Sequence, residues 1–208
     1  MGKVIAVCTS PARGTQKENV HKATLRVDYG VEGDAHAGNW HRQVSLLSYD
    51  KVQAFNARGA VVKDGAFGEN LLVDGFDFAR LPVGTRLGCG EVLLEITQIG
   101  KQCHHGCEIF QRMGDCIMPR EGVFARVLHG GEIAEGDEMH LVYKVGIITA
   151  SDKGSMGERE DLSGPAIAER LPNDYQVVCT EIVPDDRAQL AEVMRRMCDE
   201  QGCNLVLT

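Results

Sequence analysis

The first two thirds of the chain consist of short apolar or alternating runs separated by turns that contain glycine. The runs are VIAVCTS, QVSLLSY, AFGENLLV, EVLLEITQI and EMHLVY. They predict β-strands, because alternation matches the two-residue period of a strand. One helix is expected from Asp50 to about Arg58, and another short one after Cys107. Many short strands with few helices predict a mainly β fold, either a barrel or a folded-over sheet.

The pattern changes near residue 143, where strand-like runs begin to alternate with helical ones. KVGIITAS, YQVVCTEIV and CNLVLT are typical of buried strands. Ser163 is expected to cap the first intervening helix, and Asp185 or Asp186 the second. The βαβαβ order predicts a parallel sheet with right-handed crossovers. We therefore expect a mainly β domain over residues 1–143 and a three-layer α/β segment with parallel strands over residues 144–208. Because two helices cover little of such a sheet, the segment is expected to be the first portion of a larger domain.

Composition and charge exclude several classes of protein. The chain has 22 Lys and Arg against 30 Asp and Glu, a net charge of −8. An acidic chain argues against general nucleic-acid binding, which needs a basic face. No apolar run approaches the roughly 20 residues of a membrane-spanning helix, and the N-terminus has no signal-peptide layout. The sequence therefore predicts a cytoplasmic protein with no membrane and no nucleic-acid partner.

Three of the eight cysteines form a cluster with two histidines. The cluster contains Cys103, His104, His105, Cys107 and Cys116. Lys101 and the histidines favour the thiolate of Cys103, the form that attacks electrophiles and binds metals. Cys103 is accordingly the candidate nucleophile or sulfur carrier. A zinc site built from this cluster is the alternative interpretation, and an inert cysteine at a strand end is the third.

A glycine-rich turn before the run QVSLLSY gathers a second set of polar residues. Asp34, His36, His41 and Arg42 lie within nine positions. Such a turn exposes backbone N–H groups and would suit an anionic ligand beside Arg42. The alternative is a tight turn whose polar side chains hold its own backbone.

The second part of the chain offers polar residues at the predicted carboxyl ends of its strands. Ser151 and Asp152 follow the first strand, and Asp185 follows the second. Ligands bind at this edge of parallel sheets. Asp185 could hold a metal ion there or cap its helix.

Several strings in residues 1–143 resemble a MOSC domain, the module related to the C-terminal part of molybdenum cofactor sulfurases. They are VEGDAHAGNWHRQVSLLS, FGENLLV and GKQCHHGCEIFQRMGDCIMPREGVFARVLHGG. The resemblance implies a β-rich, barrel-like fold that binds the molybdenum cofactor or carries sulfur to it through one cysteine after a strand. Cys103 occupies that position, as a molybdenum ligand or a persulfide carrier. The residues expected around the pterin phosphate or the dithiolene are Asp34, His36, Arg42, Lys101 and Arg120.

Residues 144–208 resemble the start of a molybdopterin adenylyltransferase. The matching strings are VGIITASDKGSMGEREDLSGPAI, IVPDD and CNLVLT. Ser151 and Asp152 match the first loop of that family, and Asp185 matches an active-site aspartate. The family's Thr-Gly-Gly-Thr-Gly loop, which binds the pterin phosphate, and a further aspartate do not occur in the sequence. The resemblance thus implies a truncated domain whose adenylyltransferase site is incomplete in these 208 residues, while a complete domain would use Mg²⁺.

Both resemblances point to molybdenum cofactor biosynthesis or modification. The expected ligand is a molybdopterin-type small molecule, and the expected partners are a cysteine desulfurase and molybdoenzymes. Sulfur-carrier or transferase activity is one interpretation. A non-catalytic module that binds or stores the cofactor is another, and a structural zinc protein is a third.

Overall fold

The computed structural model of the chain describes residues 1–102 and 107–208, which divide into two units, Met1–Leu141 and Val142–Thr208. The strands are β1 (Gly2–Thr9), β2 (Glu18–Asn19), β3 (Lys22–Arg26), β4 (Gly30–Val31), β5 (Val44–Ser48), β6 (Leu71–Asp74), β7 (Arg86–Cys89), β8 (Val92–Ile99), β9 (Val123–His129), β10 (Gly131–Ala134), β11 (Glu138–Ala150), β12 (Tyr175–Val183) and β13 (Leu205–Leu207). The helices are α1 (Tyr49–Ala57), α2 (Glu108–Met113), α3 (Met118–Glu121), α4 (Asp152–Ser155), α5 (Ser163–Arg170) and α6 (Arg187–Asp199), with a short 3-10 helix at Phe78–Arg80. In the part of the chain that the structure describes, no helix has both the length and the apolar composition needed to cross a membrane.

The first unit is built on a mixed sheet with the strand order β11-β7-β8-β9-β5-β6-β1-β2. β5 and β6 pair in parallel, whereas the pairs β7–β8, β8–β9, β9–β5, β6–β1 and β1–β2 are antiparallel. β1, near one end of this order, also pairs with β11, near the other end. A smaller sheet has the order β10-β3-β4. The prediction of a strand-rich unit is confirmed, the sheet itself is mixed, and barrel-like closure stays a prediction.

Both faces of this sheet are covered by apolar side chains. In β6, Leu71 and Val73 enter one buried cluster while Leu72 enters another. The second cluster also contains Phe55 of α1 and Met118 of α3, so helices cover this face. Burial on both faces explains why QVSLLSY and AFGENLLV are apolar runs rather than strict alternations.

The second unit has the predicted βαβαβ arrangement. β12 and β13 pair in parallel with opposite edges of β11, so the local order is β12-β11-β13. Its small core contains Ile148, Val183, Val193, Met197 and Cys203. α6 contributes Val193 and Met197, which are one turn apart on the helix, so its apolar face packs on the sheet.

Aspartates that precede the helices satisfy their first N–H groups. The prediction that Ser163 caps α5 is wrong: α5 begins at Ser163, and the Asp161 carboxylate accepts hydrogen bonds from the backbone N–H groups of Ser163 (3.0 Å) and Gly164 (3.1 Å). Asp186, not Asp185, caps α6, because its carboxylate accepts a hydrogen bond from the Gln189 N–H at 2.9 Å.

Replacing the capping residue of α6 should destabilise the second unit. Asp186→Ala is expected to lower the free energy of unfolding by about 1 kcal/mol, because one helical N–H group loses its acceptor. Asp185→Ala is the matched control, and it should stay within about 0.5 kcal/mol of the wild type. Urea unfolding followed by far-ultraviolet circular dichroism measures both. Equal effects of the two substitutions would contradict the assigned cap.

Candidate functional site

The first unit contains a cavity of about 900 Å³. Its walls come from the segment Gly14–Lys17, the loop Ala66–Gly68 and the first residues of α2, with side chains from β5 and β9 between them. Ligand pockets in proteins typically measure about 300–1,000 Å³. The cavity is therefore large enough for a small-molecule ligand.

A buried ion pair supports one wall of this cavity, to which Lys17 contributes. The Lys17 ammonium donates to Asp34 Oδ2, and both side chains are almost fully buried. The same carboxylate accepts hydrogen bonds from the backbone N–H groups of Ser10 (3.2 Å) and His36 (2.9 Å) and from Asn70 Nδ2 (3.1 Å). The glycine-rich turn predicted as a ligand site thus also holds its own backbone, as the alternative interpretation expected.

The electrostatics of the pair follow from these contacts. Burial alone would raise the pKa of Asp34, but the hydrogen bond and the charge of Lys17, with the backbone donors, lower it. Asp34 is therefore ionised at neutral pH. His36 lies with Nδ1 3.4 Å from Asp34 Oδ1, and burial together with the Lys17 charge lowers the pKa of His36. His36 consequently presents a neutral imidazole to the cavity.

Asn70 connects the ion pair to the main sheet. Its side chain donates to the carbonyl of Cys8 at 3.0 Å and accepts from the backbone N–H of Ser45 at 3.1 Å. Asn70 and Ser45 both line the cavity. Both N–H groups of the Asn70 amide are used by Cys8 and Asp34, and the Ser45 hydroxyl donates to the carbonyl of Gly68, so these groups hold the wall together.

Arg42 lines the same cavity between two aromatic rings. The centre of its guanidinium is 4.8 Å from the Trp40 ring centroid and 5.5 Å from that of Phe124. Its buried Nε has no hydrogen-bond partner among residues 1–102 and 107–208. A planar cation held in place by stacking, with an unused donor, can recognise a phosphate or a carboxylate.

The charges around the cavity are mostly positive although the chain is acidic. The charged residues in its lining, within the described residues, are Lys17, Arg42, Lys101 and Glu108. Lys17 is neutralised by Asp34, which leaves Arg42 and Lys101 against a single carboxylate. The cavity therefore favours an anionic ligand.

A buried glutamate holds the loop that forms another wall. The Glu69 carboxylate accepts from the backbone N–H groups of Gly65 (2.7 Å) and Phe67 (3.0 Å). Gly65 has φ +83°, and a Cβ there would lie 2.3 Å from the carbonyl oxygen of Lys17, so only glycine fits. Burial raises the pKa of Glu69 to about 7.

Two cysteines line the cavity, one directly before α2 and one in the turn that precedes α3. Cys107 is exposed and Cys116 is buried, and both line the cavity. The predicted nucleophile Cys103, with His104 and His105, lies outside the described residues. Cys8 and Cys89 are packed in the two cores, where burial raises their pKa to about 12 and about 11. Those two thiols stay protonated and unreactive at neutral pH.

Arg120 and His41, which the sequence placed near a ligand, are engaged elsewhere. Arg120 donates two hydrogen bonds to Asp115, at 3.0 and 3.2 Å, and Arg58 donates a third at 2.9 Å. These hydrogen bonds hold the pKa of Asp115 well below its usual range. His41 Nε2 lies 2.9 Å from Gln98 Oε1. Of the predicted cofactor contacts in this unit, His36, Arg42 and Lys101 line the cavity, and Asp34 stands behind it.

The structure also brings together the three candidates of the second unit. Ser151 follows β11, and its hydroxyl accepts from the Gly154 N–H at 3.1 Å. Asp152 Oδ1 accepts from the backbone N–H of Asp185 at 3.0 Å. All three therefore lie at the carboxyl ends of β11 and β12, as the strand order predicted.

A family model matches most of the first unit. The model of the MOSC domain matches residues 33–140, about half of the chain. Solved structures share the fold at low sequence identity. The YuaD protein from Bacillus subtilis has a TM-score of 0.56 and 18% identity, covering 67% of this chain and 94% of its own. YiiM from Geobacillus stearothermophilus has a TM-score of 0.53 and 17% identity, covering 69% and 76%.

Comparison with curated proteins finds relatives over a shorter segment. A molybdopterin adenylyltransferase of Pyrococcus furiosus is 52% identical over 71 residues, which is 34% of this chain and 41% of that protein. A molybdopterin adenylyltransferase of Helicobacter pylori is 41% identical over 70 residues, 31% of this chain and 38% of that protein. The chain therefore spans about two fifths of the length of these relatives.

The raised pKa of Glu69 predicts a pH-dependent stability. The folded state binds the Glu69 proton more tightly than the unfolded chain, whose pKa is near 4.5. The stabilisation that protonated Glu69 gives the folded state is fully present below the unfolded pKa of 4.5, and it is lost as the pH rises through the folded pKa of about 7. Between pH 5 and pH 8 the free energy of unfolding should fall by about 2 to 3 kcal/mol more in the wild type than in Glu69→Gln.

Urea unfolding of both proteins at the two pH values measures this difference. Glu91→Gln, at an exposed glutamate, is the matched control and should behave like the wild type. A constant gap between wild type and Glu69→Gln at the two pH values would show that Glu69 does not titrate there.

Proposed function

Because the chain belongs to the MOSC domain family, we propose that the cavity of its first unit binds a molybdopterin-type ligand, the molybdenum cofactor or its precursor. The observation that carries this proposal is Arg42, a stacked guanidinium with an unpartnered buried Nε in the wall of a 900 Å³ cavity. An anionic ligand would complete the hydrogen bonding of that side chain.

The residues around the cavity fit the chemistry of such a ligand. Its phosphate matches the cationic side chains of Arg42 and Lys101. Its flat pterin ring matches aromatic walls, which Trp40, Phe67 and Phe124 supply. The hydrogen-bonding edges of the pterin match Thr15 and Gln16, the neutral polar side chains that the segment Gly14–Lys17 adds to the lining. When bound, the ligand would supply a dithiolene and, in its mature form, molybdenum.

The chain's own residues would bind and orient this ligand. The Lys17–Asp34 pair fixes the backbone of His36, so the neutral imidazole keeps its place in the wall. Phe67 and Phe124 would give the ligand apolar contacts in the wall. The loop that carries Phe67 is held in turn by Glu69. These roles require no movement of the sheet.

Cys103 is the thiol that we propose for sulfur transfer or for metal ligation. In the sequence it follows the cavity residue Lys101 by two positions and precedes the cavity residue Cys107 by four. As a carrier, its thiolate would attack the terminal sulfur of a desulfurase persulfide. A Cys103 persulfide would form, and the desulfurase thiolate would leave. A cysteine desulfurase and molybdoenzymes are the partners that this cycle requires.

For the whole chain we propose a role in molybdenum cofactor biosynthesis or modification. In this proposal residues 1–143 form a MOSC domain and residues 144–208 an adenylyltransferase-like segment in the cytoplasm. The similarity to molybdopterin adenylyltransferases supports it. Ser151, Asp152 and Asp185 would contact the nucleotide or pterin phosphate there, and Mg²⁺ belongs to a complete adenylyltransferase domain.

Removing the Arg42 charge should weaken ligand binding. Arg42→Met keeps the aliphatic stem and loses the charged hydrogen bonds, each about 1.5–3 kcal/mol, so the Kd for molybdopterin should rise about 10- to 100-fold. Anaerobic equilibrium dialysis with molybdopterin measures it. The matched control is Arg26→Met, because Arg26 also stacks on an aromatic ring, that of Tyr29, but pairs with Glu32 away from the cavity. Equal affinities of the two variants would refute the proposed site.

Sulfur loading should occur at Cys103 alone. After incubation with a cysteine desulfurase and free cysteine, peptide mass spectrometry should find one added sulfur atom on the Cys103 peptide. Cys103→Ser should abolish the addition. Cys107→Ser is the matched control, because the exposed Cys107 thiol also lines the cavity, and it should retain the addition.

An unmodified Cys103 in active desulfurase mixtures would exclude the carrier role. If Cys103→Ser then also fails to retain the cofactor, Cys103 is a metal ligand in a binding or storage module. Sulfur on Cys107 in place of Cys103 would contradict the assignment of the carrier.

A further inference from the structure

Three sulfur atoms surround one point beside the central strand of the second unit. Cys179 Sγ and Cys203 Sγ are 3.5 Å apart. A Cβ built on Gly146 would lie 2.6 Å from Met197 Sδ, 3.3 Å from Cys203 Sγ and 3.4 Å from Cys179 Sγ. The absence of a side chain at Gly146 is thus what leaves room for the three sulfurs to converge.

The backbone fixes each of these residues from a different element. Cys179 of β12 is the register partner of Gly146 in β11. Met197 is on α6, and its carbonyl accepts from the backbone N–H of Cys203 at 2.9 Å. Met197 and Cys203 are buried, whereas Cys179 is half-buried and gives the cluster a side open to solvent.

The spacing of the Cys179 and Cys203 sulfurs fits a bridging metal ion. Metal–thiolate bonds of about 2.3 Å, the length known for zinc, allow two sulfurs on one ion to be up to about 4.6 Å apart. The observed 3.5 Å lies within that limit.

We propose that Cys179, Cys203 and Met197 form a binding site for the soft monovalent ion Cu(I). Thiolate and thioether donors select Cu(I), whereas a structural zinc site requires four ligands from cysteine, histidine or carboxylate. Two thiolates and one Cu(I) carry a net charge of −1. The Lys144 ammonium offsets part of it, because Lys144 Nζ lies 3.4 Å from a Cβ built on Gly202, the residue before Cys203.

Binding exchanges protons for the metal without oxidation or reduction. Each thiol loses its proton to solvent as its sulfur bonds to Cu(I), so two protons leave for each ion bound. The site shares no residue with the cavity of the first unit, so the proposal stands apart from the proposed function.

Competition with a chromophoric Cu(I) chelator tests this site in the full chain. The parent protein carries Cys103→Ser and Cys107→Ser, which remove two thiols of the first unit. This protein is reduced and titrated anaerobically against the Cu(I)–bicinchoninate complex. One Cu(I) per chain should be withdrawn. Loss of a thiolate by Cys179→Ser or Cys203→Ser should weaken binding at least about 100-fold, since even outer contacts of metal sites are worth about 10–100-fold.

Two further variants separate metal ligation from damage to the fold. Met197→Leu conserves volume and removes only the thioether, so it should fold normally and weaken binding about tenfold. Cys198→Ser, at the exposed thiol next to Met197, is the matched control and should bind as the parent does. Equal Cu(I) uptake by Cys203→Ser, Met197→Leu and Cys198→Ser would overturn the proposal. A Cys179–Cys203 disulfide peptide after treatment with oxidised glutathione, with no Cu(I) uptake by the reduced parent, would overturn it as well.

Discussion

The buried ion pair between Lys17 and Asp34 is the constraint on which the architecture of the first unit depends. A carboxylate that leaves water must recover its hydrogen bonds from the protein. Asp34 recovers them from Ser10, His36 and Asn70 in addition to Lys17. These groups come from segments far apart in the chain, so a single carboxylate fixes their relative positions. The hydrogen bonds of Asp34 thereby hold the segments that form this wall of the cavity in fixed positions.

The network also explains why the cavity has an unbalanced charge. Asp34 forms an ion pair with Lys17, and Glu69 accepts a hydrogen bond from the backbone N–H of Phe67. Neither carboxylate is left to neutralise Arg42, which is held by Trp40 and Phe124 through its π-facing surfaces. Stacking keeps a guanidinium in place and leaves its hydrogen-bonding edge for a ligand. A chain with a net charge of −8 thereby maintains a local attraction for anions.

The sequence predicted the elements that are encoded by the pattern of apolar residues within the element itself. The helix predicted from Asp50 to about Arg58 is α1 (Tyr49–Ala57), and the alternating runs of the second part form the expected parallel strands. Strand β9 (Val123–His129) was not predicted, because it is held by long-range pairing with β5 and β8.

The candidate site shows the same division. Arg42 and His36 could be found from a crowded, glycine-rich turn, whereas Lys17 could not, because a lone lysine in a polar segment is ordinarily exposed. Its burial depends on Asp34, and Phe124 reaches the site only through the β5–β9 pairing. The sequence likewise split EMHLVY from KVGIITAS, although they form one strand, β11.

Trp40 is the chain's single tryptophan, and it stands in the cavity wall with its indole N–H donated to the carbonyl of His36 at 3.1 Å. Indole emission responds to the polarity and to the electron acceptors around the ring. With no other tryptophan to dilute the signal, fluorescence excited at the red edge of protein absorption comes from the cavity wall alone. The protein thus carries an intrinsic optical reporter of cavity occupancy, and no label has to be introduced to follow it.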